Sequence, residues 1–357
     1  MAYKAFNPDF TCKGKQYEEN TTYEENGNEI CEAGVMHYCE NPFDVLDYYP
    51  LVNENGEISE FAEVEPLGKV FKRENKCATN KLHIKAKLGL KGFIKACVDF
   101  TLEKTKIEEI EDGIENDNGN NYAQIGSSGY YAKIGSSGDY AKIGSSGDYA
   151  KIGSSGDYAQ IGSSGDYAQI GSSGDTAKIG SSGDYAKIGS SGDYAKIGSS
   201  GDTAKIGSSG DYAQIGSSGY YAQIGSSGDY ARIGSSGDYA QIGSSGDYAR
   251  IGSSGDYARI GSSGDYARIG SSGDYARITS KGKHSVVMAA GYQPQAKAKK
   301  GSWITLAEWV RTGDKDEKGF CIWVPKCVKT EYVDGERIKE DIFYKLVDGE
   351  FKEVEEN

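Results

Sequence analysis

From Asn121 to Ile278 the chain writes one nine-residue pattern eighteen times without a gap, Asp-Tyr-Ala-(Lys/Gln/Arg)-Ile-Gly-Ser-Ser-Gly. A fixed short period of this kind is the signature of a stacked repeat architecture. In the copy Asp139–Gly147, the stretch Asp139 to Ile143 alternates: Ala141 and Ile143 share one side of a strand, Tyr140 and Lys142 the other. Unpaired ammonium groups are costly to bury, so Ala and Ile face inward and Tyr and Lys outward. Gly144 to Gly147 then reads as a turn, its glycines supplying backbone angles that other residues reach only with strain. One strand and one reversal cannot close a coil, but two copies can. The pattern therefore predicts a mainly β protein, a parallel β-solenoid with about two strands per rung and like strands stacked every ~4.8 Å. The repeats would fill about nine rungs, a rod of roughly 43 Å at that spacing. A three-strand rung is the rival, and handedness stays open.

Comparison among the copies supports this frame. Ala and Ile hold in every copy, and the glycines and serines hold until Ile278 runs into Thr279. The position between Ala and Ile drifts (Gln124, Lys133, Gln160, Arg232), Asp becomes Tyr130 and Tyr220, and Tyr becomes Thr176 and Thr203. A buried Ile contributes roughly 1.5–3 kcal/mol while ordering costs ~1.5 kcal/mol per residue, so one unit cannot fold alone. Stability must come from stacking, and each open end of the rod needs a cap.

The flanks are less regular. Residues 1–105 read as a small α+β domain. Short strands are expected at Tyr3 to Phe6, Lys15 to Tyr17, Thr21 to Tyr23, Phe61 to Glu65 and Lys81 to Leu88, with a turn at Asn26-Gly27-Asn28. A short helix runs from Asn41, its N-cap, to Tyr49, and an amphipathic helix covers Lys91 to Glu103 with Phe93, Ile94, Cys97, Val98 and Leu102 near helical spacing. Residues 106–120 form an acidic linker or irregular first coil. The solenoid is placed at 121–301, with Ser285 to Gly291 and Ala296 to Ala298 as degraded coils. Residues 302–357 form a β cap in which Trp303 and Trp309 cover the last rung, followed by hairpins from Cys327 onward.

Three segments carry a resemblance: Tyr3-Lys4-Ala5-Phe6, Cys31 to Pro42 with Asp44 to Tyr49, and Gly301 to Trp309. They resemble an uncharacterised family of phage and prophage proteins in which a short N-terminal domain precedes Ala/Ile/Gly/Ser-rich repeats. The resemblance implies a phage or bacterial origin and the same three-part layout. It implies no activity.

Charge changes the picture little. The net charge is −13, with 14 basic and 24 acidic residues before position 121 and 12 against 15 in the repeats, so acidity sits at the N-terminal end. The seven cysteines, the absence of an apolar run at Met1 to Phe6 and the lack of any long apolar stretch point to a cytoplasmic protein with free thiols, clear of membranes.

Candidate chemistry is sparse. Cys12, Cys31, His37 and Cys39 are poorly spaced for zinc, and the Asp register differs from that of calcium-binding nonapeptides. With no phosphate loop, three histidines and no nucleophile motif, the reading is no enzyme and no cofactor. The surface feature is the set of outer rows: Tyr140, Tyr149, Tyr158, Tyr167, Tyr230, Tyr248 and Tyr257, beside Lys142, Lys151, Arg232, Arg250 and Arg259. Such rows either stabilise the sheet surface or form a binding face for a protein partner. Six Gln in the cation row argue against nucleic acid, and self-association through the Tyr faces is a further option. The expected function is a scaffold or interaction rod. An inhibitor imitating duplex charge is the alternative, and an enzyme in the N-terminal domain using Cys39 or His37 is a lesser one.

Overall fold

The computed structural model describes residues 1–27, 29–30, 34–73, 75–105, 114–117 and 120–354. The repeats form a parallel β-solenoid in which each strand pairs with the strand eighteen residues on, as Ile143 with Ile161 and Ile152 with Ile170. Two copies thus make one rung, the three-strand rung is excluded, and the eighteen copies fill nine rungs. Alternate strands build two sheets. One contains Gln124–Ser127, Lys142–Ser145 and their successors, the other Lys133–Ser136, Lys151–Ser154 and theirs. They face each other across a thin core in which every Ile from Ile134 to Ile278 is at most 4 % exposed.

The strand frame differs from expectation. The strand is Lys-Ile-Gly-Ser, and the reversal runs from the second Ser through Asp and Tyr. Ile and the first Ser point inward, while the Lys position and the first Gly point outward. Tyr is therefore not on a strand face. It sits at the bend with a left-handed backbone, Tyr149 at φ 57°, whereas none of the repeat glycines has a positive φ. The second Gly is required for another reason. A methyl group at Gly147 would lie 1.9 Å from the carbonyl oxygen of Gly129 in the rung below, so the rungs close up only where no side chain intervenes.

Beyond the repeats the coil continues through Val286–Ala289, Gln295–Ala298 and the start of Trp303–Lys315, which then pairs antiparallel with Cys321–Tyr332. The Trp303 ring is 48 % exposed and packs on Tyr332, so it does not cover the last rung; Val333, Ile338, Tyr344 and Leu346 close the core there.

The N-terminal domain is built on a four-stranded antiparallel sheet, Ala2–Phe6, Glu60–Pro66, Lys81–Lys87 and Thr21–Glu24 in spatial order. Asn41 caps the 3-10 helix Pro42–Asp47 by accepting from the Phe43 amide. Helix α1, Gly89–Thr105, packs Phe93 on Phe61 with ring centroids 3.7 Å apart. The expected linker falls mostly outside the described residues; within it, Ile114–Asp117 pairs in parallel with Lys133–Ser136 as a first coil strand. Asn28 and Cys31 also lie outside the described residues.

The two-copy rung sets what length changes the rod accepts. Deleting residues 139–156 removes one rung and leaves every later strand on its own sheet, so the melting temperature should move by only a few degrees. Deleting 139–147 alone moves Lys133–Ser136, and the strand paired with it, to the opposite sheet from the end of α1. That variant should melt clearly lower than the longer deletion in a thermal scan.

Candidate interaction face

Each repeat strand presents two outward positions, the variable Lys/Gln/Arg and the first Gly. On one sheet both are taken by the N-terminal domain, which lies along the flank of the rod. All eight glycines from Gly135 to Gly261 on that sheet are buried. Helix α1 runs over this row: Thr105 meets Gly153 and Gly171, Thr101 meets Gly189, Val98 meets Gly189 and Gly207, Ile94 meets Gly225 and Leu90 meets Gly243. A methyl group at Gly225 would be 2.1 Å from Ile94 Cδ1, and one at Gly153 would be 2.4 Å from the Thr105 carbonyl oxygen. The bare glycine row is thus the flat bed on which α1 rests.

The cation row of the same sheet is met by acids. Lys187 pairs with Asp44, and Lys205 pairs with Asp47 while donating to the Phe43 carbonyl. One strand past the repeats Lys297, which stands in the glycine row, reaches Glu57 at 3.0 Å. Gln241 accepts from the Val52 amide, and Gln223 donates to the Leu46 carbonyl. Burial pushes the Lys205 ammonium down from its ordinary pKa, and Asp47 opposes that shift.

The opposite sheet carries the same two rows with none of the described residues over them. From Gly126 to Gly252 its glycines have no atom within 4 Å of where a Cβ would stand. With the flanking Lys/Gln/Arg row they form an open trough of about 1400 Å³ running the length of the rod. The row holds Lys142, Lys178, Lys196, Arg232, Arg250 and Arg268, all exposed, interspersed with Gln124, Gln160 and Gln214. None of the six cations makes an ion pair among the described residues. No strand of this sheet from Gln124 to Ser271 contains an acidic residue.

The edges of the rod are occupied by ladders. Tyr149, Tyr167 and Tyr185 stack with centroids 4.9 and 4.8 Å apart and planes within 4°, and Tyr212, Tyr230 and Tyr248 stack likewise on the other edge. Thr176 and Thr203 interrupt one ladder each. Each Asp carboxylate accepts from the amide one rung up, as Asp211 does from Asp229 at 2.8 Å. Asn121 heads one ladder in the same way, accepting from the Asp139 amide. Tyr130 and Tyr220 replace Asp, and the residues after them, Tyr131 and Tyr221, are absent from the left-handed set. The ladder ties successive rungs together at the bend, and the left-handed turn persists past it at His284 and Gln293, which follow Lys283 and Tyr292. Asp211→Asn keeps the acceptor and should leave the melting temperature unchanged, whereas Asp211→Ala should cost about 1 kcal/mol in a denaturant titration.

The rows expected from the sequence divide between the two sides. Lys142, Arg232 and Arg250 lie on the open sheet with Tyr140, Tyr158, Tyr230 and Tyr248 along its edge. Lys151 and Arg259 lie on the covered sheet with Tyr149, Tyr167 and Tyr257 beside them. The glycine rows, expected in turns, lie on the sheet faces. The signal was their place after Ile, inside the alternating run.

The N-terminal domain contains a second concavity, a pocket of about 430 Å³ walled by Lys4, Cys12, Tyr17, His37 and Tyr49. Lys4 is buried, donates to the His37 carbonyl at 3.1 Å and lies over the Phe6 and Tyr17 rings. Burial lowers the His37 pKa and raises that of the Cys39 thiol to about 12. That thiol stays protonated at neutral pH and is a poor nucleophile. Tyr49 donates to Cys12 Sγ at 3.0 Å. Among the described residues no three His, Cys, Asp or Glu side chains converge on a point a metal could occupy, and no helix is long and apolar enough to cross a membrane.

Residues 1–96 match the family model of a domain of unknown function, DUF7666, a stretch that ends within α1. No curated protein and no solved structure matches the chain.

Proposed function

We propose that this protein is a non-enzymatic scaffold whose rod binds a protein partner through its open sheet. The single observation that carries the reading is the contrast between two like faces. One is closed by the chain's own acidic N-terminal domain; the other exposes the same glycine bed and six cations that make no ion pair among the described residues. Contiguous surfaces of this kind on a soluble chain mark interaction sites. The resemblance of the N-terminal and C-terminal segments to phage and prophage proteins supports a phage-encoded protein acting in the bacterial cytoplasm.

Nucleic acid fits the face less well. The Tyr rings sit 4.9 Å apart and nearly parallel, so no base can enter between them, since stacking on both sides needs about twice 3.4 Å. The inhibitor that imitates duplex charge draws support from the Asp rows along both edges. Because Asn replaces Asp as an acceptor, Asp→Asn variants remove that charge while keeping the fold, and inhibition that survives them contradicts the imitation.

The interaction reading is tested by tagged capture from bacterial lysate after nuclease treatment, comparing the native chain with Gly180→Leu/Gly216→Leu. Among the described residues nothing lies within 4 Å of a Cβ added at either glycine. One stoichiometric protein held by the native chain and lost from the variant is the expected result. Identical capture by both chains, or capture that disappears with nuclease, contradicts it.

A further inference from the structure

The covered sheet shows what a glycine bed of this repeat accepts. We infer that the open sheet is the docking site for an amphipathic α-helix of a partner protein, its small and apolar stripe on the glycine row and an Asp/Glu flank over the cation row. This inference rests on the interaction reading above and narrows it to one class of partner.

Register is the first support. Residues 90, 94, 98, 101 and 105 of α1 each descend onto the covered glycines in succession, close to one helical turn per rung. The pitch of an α-helix is ~5.4 Å, and the rung spacing read from the stacked rings is 4.9 Å. A helix laid along the rod therefore stays in step for several turns. Glycine removes the Cβ layer, so the helix axis can approach the sheet closely. The open row from Gly126 to Gly252 is longer than the row α1 uses and would seat a helix of about 20 residues.

Charge is the second support. On the covered side the cation row is answered by Asp44, Asp47 and Glu54, all supplied by the docked domain. On the open side the equivalent cations face solvent, and an acidic flank is the missing counterpart. Two open faces brought together would oppose cation to cation, which argues against a face-to-face dimer of this chain.

The third support is what the copies keep. Glycine in a strand interior is unfavourable relative to Ala. The open sheet nevertheless retains it at every strand from Gly126 to Gly270, while the neighbouring Lys/Gln/Arg position drifts. Among the described residues no contact requires a bare backbone there.

The test is fluorescence anisotropy of a labelled peptide of residues 88–106 against the full chain. The peptide carries Lys91→Glu and Lys104→Glu and is held helical by a lactam between Lys95 and Asp99, which already pair at i,i+4. Binding with a Kd on the order of 10 μM at low salt is expected, weakened at least about tenfold by 0.5 M salt. It should be lost with Gly180→Leu/Gly216→Leu, whose unchanged circular dichroism and melt would show the rod intact. Absence of binding, or equal binding to the Leu variant, overturns the inference, as does displacement of the peptide by a 20-nucleotide single strand. If the lysate partner depends on the open face but the peptide does not bind, the interaction reading stands and the helix is wrong. If the lysate partner is also indifferent to the Leu variant, the interaction reading itself fails.

Discussion

Gly201→Ala should break the rod, while Gly198→Ala, three residues earlier in the same copy, should leave it as stable or slightly more so. A methyl group at Gly201 would stand 2.1 Å from the Gly183 carbonyl oxygen and 2.6 Å from its carbon. Both are backbone atoms, and no rotamer change relieves the overlap. The spacing between these rungs is held by the Ser200 amide on the Ser181 carbonyl at 3.0 Å and by the Asp202 amide on Asp184 Oδ1 at 2.7 Å. Relief means parting the rungs and losing ladder bonds on both sheets. A loss above about 4 kcal/mol is expected, in the range reserved for gross steric failure. Because each rung touches only its neighbours, the damage should split the melt into separate transitions for the two halves. At Gly198 nothing lies within 4 Å of the added carbon, and replacing a strand glycine gains roughly 0.5–1 kcal/mol. Calorimetry of the two variants gives the comparison; equal melting temperatures would mean that the rungs do not stack as described.

Gly189→Val with Gly225→Val should release the N-terminal domain without unfolding the rod. At Gly189 the added carbon falls 3.3 Å from Val98 Cα and 3.2 Å from Thr101 Cβ, and at Gly225 it falls 2.1 Å from Ile94 Cδ1. Overpacking costs about 1–3 kcal/mol at each site, and both penalties bear on one rigid helix. Release of the domain also separates Lys205 from Asp47 on the 3-10 helix, leaving an ammonium that was buried by the contact to regain water. The expected signature is rapid proteolysis at or near α1, with the repeat segment still protected. The matched pair Gly180→Val/Gly216→Val on the open sheet should behave as the native chain.

Much of this architecture could be read from the sequence because the period and the fixed Ala and Ile positions are local properties. Ala141 and Ile143 point inward as the alternation requires, and α1 lies where Phe93, Ile94, Cys97 and Val98 share a stripe. The strand frame was not legible, because alternation continues from Asp139 through Ser145 and admits two placements of the bend. Glycine tipped the choice the wrong way. Gly147 is fixed by a carbonyl one rung away, and Gly153 by a helix more than forty residues earlier in the chain. Neither cause is visible inside a nine-residue unit. The bend is instead taken by Tyr149, beside an Asp ladder that bonds residues eighteen apart. Nor could the sequence separate a covered sheet from an open one, since alternate copies are the same text. The clue was indirect: acidic side chains gather before the repeats, where Asp44 and Asp47 find the cation row.

That one repeat builds two chemically alike faces, one sealed and one free, is most directly tested by thiol labelling at matched positions. Gln214 and Gln223 occupy the same place in successive copies, the first exposed on the open sheet and the second under Leu46 on the covered one. Gln214→Cys and Gln223→Cys would be reacted with a maleimide, and the extra label relative to the native chain followed by intact mass. The structure predicts that the thiol at 214 reacts at the rate of a free cysteine while the thiol at 223 is slowed at least about a hundredfold, and that Gly189→Val/Gly225→Val restores it. Equal rates at the two positions in the native background would contradict the account.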